Sequence, residues 1–263
     1  MTDRRSLHEK IDKLGSPETA VVEKVVDAEL IAIETSFQPG SWLASPKWVE
    51  GFGARLRAHH ALNPEPLVTS AFEAAFNGAC DVAGYDVAPA VSAVHRFFDT
   101  TVEGDDGTVR RISLKSSAAK DLKEATLHIS KLTEAAWIQD ARKQKDRHTW
   151  LKDLFRDYRD STDAILQLRC FRVDDGYRYQ LVEVPTSMFE AVDELTVAAA
   201  QAGTINFPPG TTWRDRTFAL RVDKSDAKLT VTGIRIDGCT VHGEWTVPNL
   251  SGVEAEAPDD DDE

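Results

Sequence analysis

Apolar and polar positions change their period several times along the chain, and each change marks an element. From Pro66 to Cys80, Leu67, Phe72, Phe76 and Ala79 recur at helical spacing. This predicts an amphipathic helix with Glu73 beside its phenylalanine stripe. The stretch from Val94 to Lys115 reads as two strands joined by an Asp-Gly turn at Asp106-Gly107. Between Ala125 and Leu132, Leu127 and Ile129 alternate with His128 and Ser130, which predicts a third strand. A long helix is expected from about Thr133 to Asp160, packing through Ala136, Trp137, Trp150, Leu151, Leu154 and Phe155, with a break near Asp146 to His148. Ala164 to Val173 predicts a fourth strand, and Asp174-Asp175-Gly176 turns it into Tyr177 to Val184. The order is helix, three strands, helix, strand, which argues for an α/β (α+β) domain with a mixed sheet flanked by helices.

The flanking segments read as support. Ser16-Pro17-Glu18 opens a helix to about Ile33, with an apolar stripe of Val21, Val22, Val25, Val26, Leu30 and Ile33. Ser45-Pro46 opens another to about His60. Its neighbours His59 and His60 point about 100° apart on a helix, which favours packing or a phosphate contact over a shared metal. The C-terminal part is strand-like at 217–222, 228–236 and 239–245. With 263 residues and no Gly/Ser/Pro-rich linker, one domain over 1–252 is expected. It comprises a helical part (1–62), a core (63–202) and a β-rich part (203–252), followed by a disordered acidic tail (253–263). No apolar run approaches the roughly 20 residues of a bilayer span, and no secretory signal opens the chain, so a cytoplasmic protein without a membrane partner is expected. Cys80, Cys170 and Cys239 have no paired spacing and read as reduced core residues.

The chemistry concentrates between Asp99 and Lys115. A hairpin centred on Asp106 or Gly107 places Asp99 opposite Ser113 or Lys115, and those two share a face because side chains alternate. A carboxylate can hold a hard cation, and an ammonium beside it can orient a water and offset charge on a phosphate. A plain cross-strand ion pair satisfies the same pattern. Charge opposes a polyanionic partner, because the chain carries a formal −13. Seven of the acids lie at 254–263, leaving about −6 elsewhere. Nucleic acid must therefore meet a concentrated basic face. Arg110, Arg111, Lys115, Lys120, Lys123 and Lys131 are candidates, together with Arg142, Lys143, Lys145 and Arg147, which a solvated helix face explains equally well.

The order of elements is that of the PD-(D/E)xK nuclease core, and over roughly residues 55–247 the chain resembles the SmaI-like type II restriction endonucleases. The matching stretches are Ala58-His59-His60, Phe72-Glu73-Ala74-Ala75-Phe76-Asn77, and Ser113-Leu114-Lys115 followed by Ala118-Ala119-Lys120. Leu127-His128-Ile129-Ser130-Lys131, Tyr179 to Pro185 and Cys239 to Trp245 complete the set. The resemblance implies Mg²⁺-dependent cleavage of double-stranded DNA at the palindrome CCCGGG with blunt ends. It further implies a homodimer and a cognate DNA methyltransferase in the same system.

One position departs from the nuclease pattern. Ser113 stands where the second acid is expected, two residues before the lysine, and the family resembled shares this gap. A hydroxyl is a poor ligand for Mg²⁺, so another acid should supply the charge. Glu73 is the first choice, against a solvated helix glutamate. Glu183 is the second, against a carboxylate paired to Arg178 or Arg169. In this reading Asp99, Glu73 and the Leu114 carbonyl hold the metal and Lys115 orients the water. Guanine edges are best read by arginine, with Arg214, Arg216, Arg221, Arg235 and His242 available. A DNA repair or structure-specific nuclease, or a catalytically inactive DNA-binding relative, is the alternative.

Overall fold

The structure, a computed structural model, describes residues 4–90, 97–104, 106–134, 144–212, 214–223 and 228–250. Its elements are α1 (Arg4–Ile11), α2 (Ser16–Leu30), β1 (Glu34–Phe37), α3 (Pro46–Leu62), α4 (Ser70–Ala83), β2 (Asp86–Pro89), β3 (Thr100–Glu103) and β4 (Val109–Ser117). There follow β5 (Thr126–Glu134), α5 (Gln144–Ser161), β6 (Ala164–Val173), β7 (Gly176–Pro185), β8 (Thr204–Phe207), β9 (Phe218–Asp223), β10 (Lys228–Arg235) and β11 (Thr240–Pro248). Seven strands form a mixed sheet in the order β1-β11-β7-β6-β4-β3-β2, and four form a second sheet, β5-β10-β9-β8.

β6 shows why the main sheet sits in the middle. Its first eight residues are all buried, as expected of a strand covered on both faces. Leu166, Leu168 and Cys170 face α3 and α4, together with Tyr179, Leu181 and Trp245. Ile165 faces the opposite side, with Val182 and Val184, against α5 and the second sheet. The step from β4 to β6 is parallel, so it needs a crossover, and α5 lies within it.

The order helix, three strands, helix, strand is present as α4, β2, β3, β4, α5, β6, a restriction-endonuclease-like core. One member differs from expectation. The first strand is the four-residue β2, antiparallel to β3. The segment expected as the third strand, β5, leaves the main sheet and pairs with β10. It also runs on to Glu134, so the chain at Thr133 is strand and not helix; α5 begins at Gln144, and 135–143 lie outside the described residues. At the C-terminal end β11 returns to the main sheet between β7 and β1. The acidic tail lies outside the described residues.

The valine stripe of α2 is not core. Only Ala28 is buried, while Val21, Val26 and Leu30 are 49%, 50% and 80% exposed. The helix is tied to α3 by an ion pair of Arg57 with Glu29 at 2.8 Å. By contrast His60 on α3 is buried, stacked on Tyr177 and 2.7 Å from the Tyr179 hydroxyl through Nε2. That hydroxyl also accepts the Leu67 N–H at 2.8 Å, so its single proton is left to donate to a neutral His60 ring.

Burial, with His59 nearby, lowers the His60 pKa to about 4. Between pH 6.5 and about 4 the unfolded chain therefore takes up a proton that the folded chain refuses. Stability should fall as pH falls through that window, by up to about 3 kcal/mol from this group. Urea midpoints measured across the window check this. His60→Gln should flatten the dependence, and an unchanged slope would contradict it.

Candidate active site

Asp99 immediately precedes β3. Its N–H donates to the Ile112 carbonyl at 2.8 Å and its carbonyl accepts the Ala90 N–H at 3.0 Å, so its backbone is held between β4 and the end of β2. The register Thr100↔Ile112 continues to place Asp99 opposite Ser113. The carboxylate turns onto β4, where Oδ2 accepts the Leu114 N–H at 2.6 Å and the Ser113 hydroxyl at 3.4 Å. Lys115 Nζ stands 3.5 Å from the same oxygen. In an extended strand the N–H and C=O of one residue point to the same edge, so the Leu114 carbonyl opens on the side of Asp99. Ser113 is fully buried. Its hydroxyl supports Asp99 instead of replacing a carboxylate.

Glu73 reaches this group from the first turn of α4. The helix start is tied to β4 by the Thr69 N–H donating to Ser116 Oγ at 2.7 Å. Thr69 itself has φ 49°, left-handed backbone that a β-branched residue rarely adopts. The Glu73 carboxyl is held above the ordinary range, first by burial and then by the negative charge of Asp99, with Lys115 pulling the other way. Asp99, Glu73 and Lys115 thus form one electrostatic cluster. Two repelling carboxylates beside an open carbonyl suit a cation that takes one or two protein carboxylates and keeps several waters, as Mg²⁺ does. No set of three or more His, Cys, Asp or Glu that could hold a metal occurs among the described residues.

Gln167, absent from the sequence reading, is paired with Lys115 in the β4–β6 register. Fully buried, it donates through Nε2 to Ser117 Oγ at 3.1 Å and to the His128 carbonyl at 2.8 Å, and its Oε1 has no partner among the described residues. No residue type or spacing signals this, because the partners lie on two other strands, β4 and β5.

Glu183 lies elsewhere. The register Leu114↔Leu166↔Glu183 puts it on the opposite face from Lys115 and two strands away, about 10 Å. It accepts from Trp42 Nε1 and His242 Nε2, each at 3.0 Å. Burial opposes its ionisation, but these bonds overcome that and hold it below the usual carboxylate range. The arginines expected to pair with it do not. Arg178 pairs with Glu124 and Glu244, and Arg169 bonds Gln180. His242 is 1% exposed and its Nδ1 meets Ser41 Oγ at 2.7 Å. Both ring nitrogens are engaged and the ring is buried, which leaves His242 no group to offer a base edge. The Ser41 hydroxyl oxygen also accepts the Leu43 N–H, and the whole relay fastens a turn.

The remaining cationic candidates separate. Arg110 pairs with Asp106 at 2.6 Å and stacks over Trp42, and Arg111 is bidentate to Asp163. Arg147 is buried and donates to the Ala202 carbonyl. These three are held within the chain. Lys120 and Lys131 are exposed; Arg142 and Lys143 lie outside the described residues. Arg214, Arg216 and Arg235 converge with Lys123 and His128 on a cleft of about 780 Å³ that begins at Ser117, two residues beyond Lys115.

The Asp99 carboxylate, the Leu114 carbonyl and Lys115 thus lie together on adjacent strands, with Glu73 on the preceding helix, beside a cleft lined by Arg214, Arg216 and Arg235. Residues 23–247 match the family described as SmaI, type II site-specific deoxyribonuclease. The chain belongs to the SmaI family of type II deoxyribonucleases. It is 26% identical over 204 residues to the type II restriction enzyme SmaI of Serratia marcescens, a match that covers 74% of this chain and 77% of that protein. No solved structure matches. The protein is accordingly a hydrolase of the SmaI family that cleaves DNA site-specifically. Among the described residues no helix is long and apolar enough to cross a membrane.

Proposed function

We propose that the protein is a Mg²⁺-dependent homodimeric restriction endonuclease that cuts double-stranded DNA at a GC-rich palindrome, CCCGGG with blunt ends as in the family's resemblance. In this reading the protein is cytoplasmic and its host carries a cognate methyltransferase. The observation that supports the proposal is the Asp99 carboxylate set against the Leu114 N–H and Lys115 on β4, with Glu73 near enough for its carboxyl to feel the charge of both. Asp99, Glu73 and Leu114 would hold the metal. When bound, the cation supplies Lewis-acid stabilisation of charge developing on the phosphate. Lys115 orients a water in line with the scissile bond. As that oxygen bonds to phosphorus, the bond to the 3′-oxygen breaks and a proton passes to the leaving oxygen, giving a 3′-hydroxyl and a 5′-phosphate. A palindrome cut on both strands requires two copies of this site related by a twofold axis. Val26 and Leu30, one turn apart on α2 and 50% and 80% exposed, would offer apolar surface to such a contact.

Incubation of supercoiled plasmid with the protein, with and without added Mg²⁺, tests the proposal. Discrete bands that require the metal and share one sequence at their ends are expected. A smear or nicks would favour a repair nuclease, and intact but retarded DNA a binding relative.

The two candidate acids separate by mutation. Glu73→Gln should lower cleavage by roughly 100-fold or more, by removing charge at the metal. Glu183→Gln should leave the rate within about threefold, because its carboxylate faces Trp42 and His242. Single-turnover rates decide it, and the reverse ranking would move the ligand to β7.

A further inference from the structure

Among the arginines that line the cleft beyond Ser117, one differs in how it is held. Arg235 is neutralised by Asp237, with Nη2 2.5 Å from Oδ2, and Arg214 is exposed. Arg216 is partly buried and bonds a neutral amide, Nη1 donating to Asn206 Oδ1 at 3.0 Å. The amide is fixed in turn, because Asn206 Nδ2 donates to the Thr211 carbonyl at 3.2 Å. The guanidinium therefore keeps its whole charge and a set direction. Its Nε and Nη2 take no protein acceptor among the described residues.

The opposite wall is shaped to admit it. The β10–β5 register steps from Thr232↔His128 to Ile234↔Leu127, so Gly233 is the extra residue of a bulge, a device that re-aims side chains beside functional sites. Gly233 has φ +64°, and a Cβ there would lie 2.9 Å from Arg216 Nη2 and 3.0 Å from Nε. A side chain at 233 would push the guanidinium out of its seat. The same stretch of β5 is bonded to the catalytic strands, since the His128 carbonyl accepts from Gln167, the neighbour of Lys115.

We propose that Arg216 is a specificity-determining residue whose Nε/Nη2 edge is aimed at a pair of fixed acceptors on the duplex, the O6 and N7 of a guanine in the major groove. The proposal rests on the reading of this cleft as the duplex-recognition surface. A guanine edge offers two acceptors at fixed spacing, which a pre-set guanidinium matches bidentately. A phosphate is met as well by an exposed surface lysine such as Lys123.

The test is to cut a random-sequence DNA library with the wild-type protein, Arg216→Ala and Gly233→Ala, and to sequence the new ends. Arg216→Ala removes the fork; Gly233→Ala keeps it but displaces it. Both should lower discrimination by roughly 10- to 100-fold at one G·C pair and its symmetry mate, leaving the other positions of the site unchanged. Should Arg216→Ala not cut, duplexes it retains from the same library without added metal are sequenced instead, with the same expectation. An unchanged consensus with a uniformly weaker reaction, and a salt dependence shallower by about one ion, would make Arg216 a phosphate contact and overturn the proposal. An unchanged consensus and rate would overturn it too. Wild-type ends without any consensus would instead overturn the reading of the cleft on which it rests.

Discussion

Asp99→Asn and Lys115→Ala should each lower the single-turnover rate of DNA cleavage by at least about 1,000-fold while leaving the fold in place. Asparagine keeps the shape of Asp99 and an oxygen for the Leu114 N–H, but it removes the charge that a hard cation requires. Alanine at 115 removes the only ammonium paired with that carboxylate among the described residues. Neither side chain fills core volume, since they are 33% and 21% exposed. DNA binding, measured by mobility shift, should survive in both variants, and unfolding midpoints should move little. A variant that cuts at near the wild-type rate would show that the cluster is an ion pair and not the site of chemistry.

Arg169→Met should cost about 3 kcal/mol or more of stability, because several acceptors lose their donor inside the protein. Arg169 is 1% exposed. It donates to Gln180 Oε1 at 2.5 Å, to the Thr126 and Glu124 carbonyls at 3.3 and 3.4 Å, and to the Lys123 carbonyl. Burial lowers its pKa, though a guanidinium stays charged at any ordinary pH. Those carbonyls belong to the approach to β5, where Lys123 and Thr126 line the cleft. In a protein of this size the loss corresponds to a fall of roughly 6–12 °C in melting temperature, read by calorimetry. A change of only a degree or two would mean that the loop finds water as readily as it finds Arg169.

The hairpin that carries Asp99 and Lys115 was legible because everything that sets it is local. An Asp-Gly turn fixes the register, and strand alternation then decides which side chains meet, as the Thr100↔Ile112 pairing bears out. Strand period says nothing about partners. Leu127 and Ile129 alternate as clearly as any core strand, yet β5 belongs to the second sheet, while the real first strand of the core has four mostly exposed residues ending in proline. The valines of α2 satisfy a helical stripe without a partner to cover them. Gln167 beside Lys115, and the cleft that joins Ser117 to Arg216 and Gly233, are assembled from segments about 50 to 115 positions apart. No short window contains them.

The last strand has a kinetic consequence. The outer edge of β7 is covered only by β11, whose register runs from Thr240↔Glu183 to Pro248↔Gly176, and β1 waits for the same strand. During synthesis the ten residues of β7 therefore stay open on that side until residues 240–248 have left the ribosome. Such an edge invites pairing with another chain. A product truncated before residue 240 should accordingly collect in insoluble aggregates, well before any defect in its chemistry could be noticed.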